Sequence, residues 1–534
     1  MNARGLGFYS GDNVPKKTKW LYSVAAIGRD GAYALVSLFL LTFIQYSGIL
    51  TPLGDVGQYA AMFAVISGLV IGYRIFDALN DPFMGVIIEK VHFKTGKYKP
   101  WILIGAITNA IVVFCLFCVP QYFTALQGWG YVAWFAVFYL LWGITFTMND
   151  IAYWAMLPSL TSDEKQRATI TTIMSVFCSV GQFIVAGLTP IISANLGYQN
   201  GYQIITYAIL AVFLGLQILL YFLAPEHKRN VEEEAKHEPP HFKDMFKILK
   251  RNDQARWATI IFLIYYTGAG ILNALGINYF YFAVNYSVGS LVMTIFTVIY
   301  AVGVIIAQFS FPALSKRFTR KTLWTASILL NVIGYLAFFI YGLPLGNGNY
   351  LSPSPIVDGA VNILYLIPLC VIGIVIFSSQ GLMNMMLIMM MSNTIEYNEY
   401  KFGERKEAVI FSLRPLTAKL SSAIQQGVLY LFLLVSGLMT FVSQISSYQQ
   451  AAALDSSIST DTLNSQCDVV SMNASSIDVL IYKLGVAILP MVLFIVTYFL
   501  QRKFYKIDEK KYADMCVEIK RRQNNYVGEN PTVE

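Results

Sequence analysis

The stretch YAAMFAVISGLVIGYRIFDALNDPFMGVII, residues 59–88, decides the class of fold. Its apolar run is long enough to cross a hydrocarbon core of roughly 30 Å at 1.5 Å rise per residue. Within it stand Arg74, Asp77, Asn80 and Asp81. A charge in the middle of a spanning helix costs about 2.5–3.5 kcal/mol even on insertion scales, so each of these needs a partner or a task. Asp77 and Asp81 are four apart and Asn80 is three after Asp77, which puts all three toward one helix face. Pro82 cannot donate to the carbonyl of Ala78, which leaves that oxygen free beside the carboxylates. An oxygen cluster of net negative charge suits a monovalent cation, either sodium through several oxygens or a proton through one carboxylate. The structural alternative is an ion pair of Arg74 with Asp77 that ties helices together, and it leaves the second aspartate unexplained.

Outward from this segment the pattern repeats. Of the 534 residues 56% are hydrophobic and only 13% charged, too few charges to cover a water-soluble surface of this size. Mean hydropathy is +0.55. Apolar stretches recur at about 21–46, 59–88, 101–122, 129–157, 168–194 and 202–223, then at 257–284, 289–314, 322–343, 360–392, 408–441 and 478–501. The expectation is an all-α membrane protein of about twelve transmembrane helices. The start, MNARGLGFYSGDNVPKKTKW, is polar and basic and does not read as a cleavable signal.

Lysines and arginines crowd alternate loops: Lys16, Lys17 and Lys19; Lys90, Lys94, Lys97 and Lys99; Lys165 and Arg167; Lys316, Arg317, Arg320 and Lys321; Lys401, Arg405 and Lys406; then the tail from Arg502. The intervening loops, among them 47–58, 194–201 and 442–477, hold none. The positive-inside rule therefore places both termini in the cytoplasm of a cell that holds this chain in its inner or plasma membrane, in agreement with an even helix count. The same placement explains the formal charge of +7 without nucleic acid. The organisation expected is a six-helix half at 1–224, a cytoplasmic linker at 225–256, a second six-helix half at 257–502 and a tail at 503–534. Within the linker, FKDMFKILKR spaces Phe242, Met245, Phe246 and Leu249 as an amphipathic helix. The basic loops GVIIEKVHFKTGKYKPW and PALSKRFTRKTLW fall at matching positions of the two halves, as in repeat-built transporters of the major facilitator fold.

Further charges lie where lipid is expected. GITFTMNDIAYWAMLPSL places Asp150 and Trp154 four apart, with Thr147 one turn before. A carboxylate beside an indole holds a sugar well: the acid accepts from hydroxyls and the ring covers the apolar face of a pyranose. The plainer reading makes Trp154 an interfacial anchor and Asp150 a helix-end charge. IGRDGAY brings Arg29 and Asp30 two turns into the first helix, opposite charges that could satisfy each other although adjacent residues diverge on a helix. FSLRPLTAKLSSAIQQG carries Arg414 and Lys419, and Lys419 reads as the only lysine well within a span. Its ammonium is a counter-ion for the aspartates, whether a permanent bridge or one released when a cation arrives. Of six cysteines, Cys115 and Cys118 form a C-x-x-C inside an apolar helix, which reads as packing. The four histidines, His92, His227, His237 and His241, all fall outside the spans, and no Ser–His–Asp order or phosphate loop is present, so an enzyme is not expected.

GYRIFDALNDPFMG, then TGKYKPWILIG, then TMNDIAYWAMLPSLTSDEKQR, together resemble the glycoside–pentoside–hexuronide:cation symporters, the melibiose permease-like group of the major facilitator superfamily. NTIEYNEYKFGERKEAVIFS and the tail YKIDEKKYADMCVEI resemble that family's ten–eleven loop and C-terminal end. The resemblance implies uptake of a sugar or glycoside coupled to sodium or protons by alternating access, with no cofactor beyond the coupling cation. By position it implies that Asp77, Asp81, Asn80 and Thr147 form the cation site, sodium touching Asp77 and Asp81 if sodium is the ion. It implies that Asp30, Asp150 and Trp154, with Arg29 beside them, contact the sugar, and that Lys419 neighbours both sites and couples them, with Arg74 as a second basic candidate. Two departures stand out: Arg29 replaces a lysine, and Ser175 replaces an arginine of helix five that reaches the sugar. The segment 442–477 is also longer than the family pattern. The rival expectations are a carrier of a lipid-like or amphipathic solute, suggested by MNMMLIMMMSN at 383–393, and a non-transporting membrane sensor.

Overall fold

The computed structural model describes residues 8–9, 13–50, 56–91, 93, 95–161, 164–227, 242–346, 349–455 and 457–529. Twelve helices among them are long and apolar enough to span a membrane. The first six are α1 (Lys16–Tyr46), α2 (Val56–Lys90), α3 (Lys99–Phe117), α4 (Trp129–Leu160), α5 (Glu164–Leu196) and α6 (Tyr198–Leu223). After a short helix, α7 (Phe242–Arg251), come α8 (Asp253–Ala283), α9 (Tyr286–Arg317), α10 (Arg320–Ile340), α11 (Ile363–Phe402) and α12 (Glu407–Val435). Two further helices, α13 (Leu438–Leu454) and α14 (Thr460–Met472), precede the last span. That span consists of α15 (Ser476–Lys483), a π-helical turn at Leu484–Ile488 and α16 (Leu489–Phe504). The tail helix α17 (Glu509–Glu529) follows.

α1 packs on α5 and α6, and α3 on α4 and α6, to form one group. α9 packs on α11, and α8 on α12 and α16, to form the other. The two groups meet chiefly where α2 lies against α12 and α5 against α9. Helix starts in the second group are fixed by side chains that accept from free backbone N–H groups: Asn252 from Ala255, Asn285 from Val288 and Thr319 from Thr322.

Three expectations need correction. The segment 442–477 is not a loop: it is helical through α13 and α14, with Ser459 capping the second and a Ser475–Asp478 capping box opening α15. Its many Ser and Gln residues disguise a buried stripe that includes Leu463, Cys467 and Val470. The buried face of α7 runs through Met245 and Ile248, while Phe246 is exposed. Lys483 is a second lysine buried inside a span, where its Nζ donates to the carbonyl of Tyr341 at the C-terminal end of α10. Of the histidines, His92, His237 and His241 lie outside the described residues, as do Lys94 and most of the linker, 228–241.

Candidate functional site

The carboxylates of α2 meet side chains of α4 and α12. Lys419 Nζ lies 2.6 Å from Asp81 Oδ2 and 3.0 Å from Asp77 Oδ2. Thr147 Oγ1 lies 3.1 Å from Asp77 Oδ1 and 3.2 Å from Asp81 Oδ1. One ammonium and one hydroxyl thus clasp both acids, and the clasp joins the two groups of helices. Removing one partner of such a pair leaves an uncompensated charge and costs about 3–5 kcal/mol.

Asn80 is not tied into this cluster, and its buried Nδ2 has no hydrogen-bond partner among the described residues. Arg74 does not form the ion pair with Asp77 that the structural alternative required. Among the described residues the ion pairs within 4.0 Å give both aspartates to Lys419. Arg74 is buried instead under aromatic rings, its guanidinium carbon 5.3 Å from the Trp142 centroid, and it lines a cavity of about 130 Å³ between the halves. Among the described residues no three His, Cys, Asp or Glu side chains gather as a metal cluster. The oxygens that meet here are two carboxylates and a hydroxyl, the hard donors that sodium takes.

The sugar candidates assemble around Arg29, which is 2% exposed. Its Nε and Nη2 donate to Asp30 Oδ2 at 3.0 and 2.7 Å. Adjacent residues do diverge on a helix, but the long guanidinium side chain folds back to its neighbour. Nη1 stands 3.3 Å from Asp150 Oδ1, near enough for an ion pair though not aligned as a hydrogen bond. The Arg29 guanidinium carbon lies 4.3 Å from the Tyr153 ring centroid and 5.4 Å from that of Trp154. Asp150 and Trp154 remain open, at 35% and 42% exposure. The structure therefore brings Arg29, Asp30, Asp150 and Trp154 into one site, one turn of α4 away from Thr147.

Ser175 is exposed on α5 and supplies no charge, its carbonyl accepting from Ser179 Oγ. What α5 does supply was not foreseen. Gln182 Nε2 donates to Asp30 Oδ1 at 3.1 Å, and Cys178 Sγ lies 3.6 Å from Arg29 Nη2. The signal was present in the sequence as the polar spacing Ser175, Ser179, Gln182 along one helix face. The close approach depends on Gly181, where a Cβ would come within 2.3 Å of the Ile27 carbonyl oxygen of α1. In the methionine-rich run, Met383, Met386, Met390 and Met391 are buried in the main core, where they fill gaps between helices.

Twelve spans in two packed groups, with a charged site halfway between them, define a secondary transporter of the major facilitator fold. A solved D-xylose–proton symporter has the same fold, with a TM-score of 0.53 and 14% identity over 82% of this chain and 95% of that one. The chain belongs to the MFS/sugar transport protein family, whose pattern matches residues 21–509. It is similar to a lactose permease of Lactobacillus delbrueckii subsp. bulgaricus, 27% identical over 93% of this chain and 71% of that protein. It is also similar to a raffinose carrier protein of Pediococcus pentosaceus, 26% identical over 79% of this chain and 62% of that protein. The resemblance to the glycoside–pentoside–hexuronide:cation symporters is borne out, and the chain is a multi-pass sugar transporter rather than an enzyme.

Proposed function

We propose that the chain moves a neutral sugar or glycoside together with sodium or a proton, in a plasma or bacterial inner membrane with both termini in the cytoplasm. The observation that carries this reading is the clasp of Lys419 and Thr147 on Asp77 and Asp81. A cation entering there takes over the place of the ammonium. Sodium gains the two carboxylates and the Thr147 hydroxyl, while a proton neutralises one acid. Lys419 is then released, and Arg74 stays under its rings as a fixed positive wall.

The sugar lies against Asp150, Asp30 and the face of Trp154. The acids accept from its hydroxyls while Arg29 holds them in position. Two carboxylates to one guanidinium leave this site net negative, which favours a neutral solute over a uronate. Lactose and raffinose, named for two relatives, are of that kind. The test is uptake into proteoliposomes of labelled lactose, raffinose, pentosides and hexuronides, with sodium and pH gradients imposed separately. Accumulation of a neutral sugar above its outside level, under one gradient and not the other, is expected. Uptake that only equilibrates under both gradients overturns the coupling.

A further inference from the structure

The helical pair α13 and α14 lies across the end of the bundle opposite the chain termini and touches both halves. It is inserted between α12 and α15, so by covalent connection it belongs to the second half. On that half Asp468 accepts from Ser287 N and Ser287 Oγ at 2.8 and 2.7 Å, and Ser471 Oγ accepts from Tyr286 N at 3.1 Å. On the first half Asn464 Nδ2 donates to the carbonyl of Ala194 at 3.3 Å, and Gln450 Nε2 donates to Gln127 Oε1 at 3.0 Å. Gly48 lies so close beneath that a Cβ on it would stand 2.5 Å from Gln450 Cβ.

One side chain bridges both halves at once. Gln449 Oε1 accepts from Tyr198 N at 3.1 Å, and its Nε2 donates to Tyr286 Oη at 2.8 Å. Under it the halves meet directly: Tyr198 Oη and Tyr281 Oη are 2.6 Å apart, and Tyr46 donates to Asn278. Hydrogen bonds join the halves at this end, where Asn278 also donates to Gln45, and at Lys419, which donates to Asp81.

We infer that α13 and α14 form a latch on the far mouth of the transporter. It moves as one body with the second half, and its release from α5, α6 and the Gln127 turn is a required step in opening that mouth. Gln449 is the positioning residue that holds the latch shut. The inference rests on the alternating-access reading above, but its test needs no knowledge of the sugar.

In a chain whose native cysteines are replaced, a single Ser37→Cys in the cavity below the seal reports opening through its rate of labelling. The probe is a membrane-impermeant thiol reagent applied from the far face. Two cysteine pairs, Ala194→Cys with Asn464→Cys and Ser287→Cys with Asp468→Cys, are bridged by a cleavable bis-thiosulfonate. The 194–464 bridge should suppress labelling at residue 37, with recovery on reduction, whereas the 287–468 bridge should leave it unchanged. Gln449→Ala, which removes the Tyr198 hydrogen bond that crosses the mouth, should raise the labelling rate about 2–12-fold. If the 194–464 bridge leaves labelling at its starting rate, or the 287–468 bridge suppresses it equally, the latch is refuted. An unchanged rate in Gln449→Ala refutes the role of that residue. Failure of the sugar-uptake assay leaves all three readings intact, so the two hypotheses fail separately.

Discussion

At the scale of single residues, the spacing of Asp77 and Asp81 showed a shared face but not what would meet it. Thr147 and Lys419 come from helices more than 60 residues away; the charge of Lys419 marked it as a counter-ion for the aspartates, but only family resemblance joined Thr147 to them beforehand. Asn80 shows where spacing overreaches. Positions i+3 and i+4 fall on opposite sides of residue i, so a cluster that closes on Asp77 and Asp81 turns away from Asn80. Asp77→Asn and Asp81→Asn should each abolish cation-driven accumulation while sugar-for-sugar exchange persists, because each removes a charge from the clasp without touching Arg29. Gradient-driven uptake at the normal level in either variant takes these residues out of the coupling site. Trp154→Ala should weaken sugar binding roughly tenfold, the order of one stacking face and its burial, as read by calorimetry. Unchanged affinity would place the sugar elsewhere.

At the scale of elements, the spans were legible because apolar runs of about 20 residues leave few alternatives. The helices of the 442–477 segment were not, since their apolar stripe is short and shares its buried face with serines and glutamines such as Ser446 and Gln449. The same limit hid Gln182, whose role depends on how closely α5 approaches α1. That approach is testable with two glycines of one helix. Gly181→Ala drives a methyl group into the Ile27 carbonyl and should cost about 1–3 kcal/mol, seen as a lower Tm together with weaker sugar binding as the Gln182–Asp30 bond is lost. Gly187→Ala meets nothing within 4 Å and gains helix propensity, so its Tm should be equal or higher. If the two substitutions behave alike, close packing at Gly181 does not position Gln182.

At the scale of the whole molecule, hydropathy and the alternation of basic loops revealed two halves. The closed far mouth, made by tyrosines of α1, α6, α8 and α9, has no signature in any one segment. The same long-range assembly bears on coupling, because α4 carries Thr147 at the proposed cation site and, about 4.5 Å further along the helix axis, Asp150 at the proposed sugar site, with Trp154 one turn beyond. While Lys419 is held by the aspartates, α2 and α12 are pinned together. A cation that displaces the ammonium unpins them, and Thr147, shared between the old and new arrangements, transmits the change one turn along α4 to Asp150. Cation and sugar should therefore bind cooperatively, each raising the affinity of the other by the same factor, as linkage demands, with about 5–150-fold the usual range for such couplings. Titration of sugar with and without saturating sodium or at two pH values, and of cation with and without saturating sugar, measures both factors. Thr147→Ala should bring both toward one while leaving some affinity for each ligand. Independent binding in the unmodified protein would reduce the clasp to a structural ion pair and the transport to facilitated diffusion.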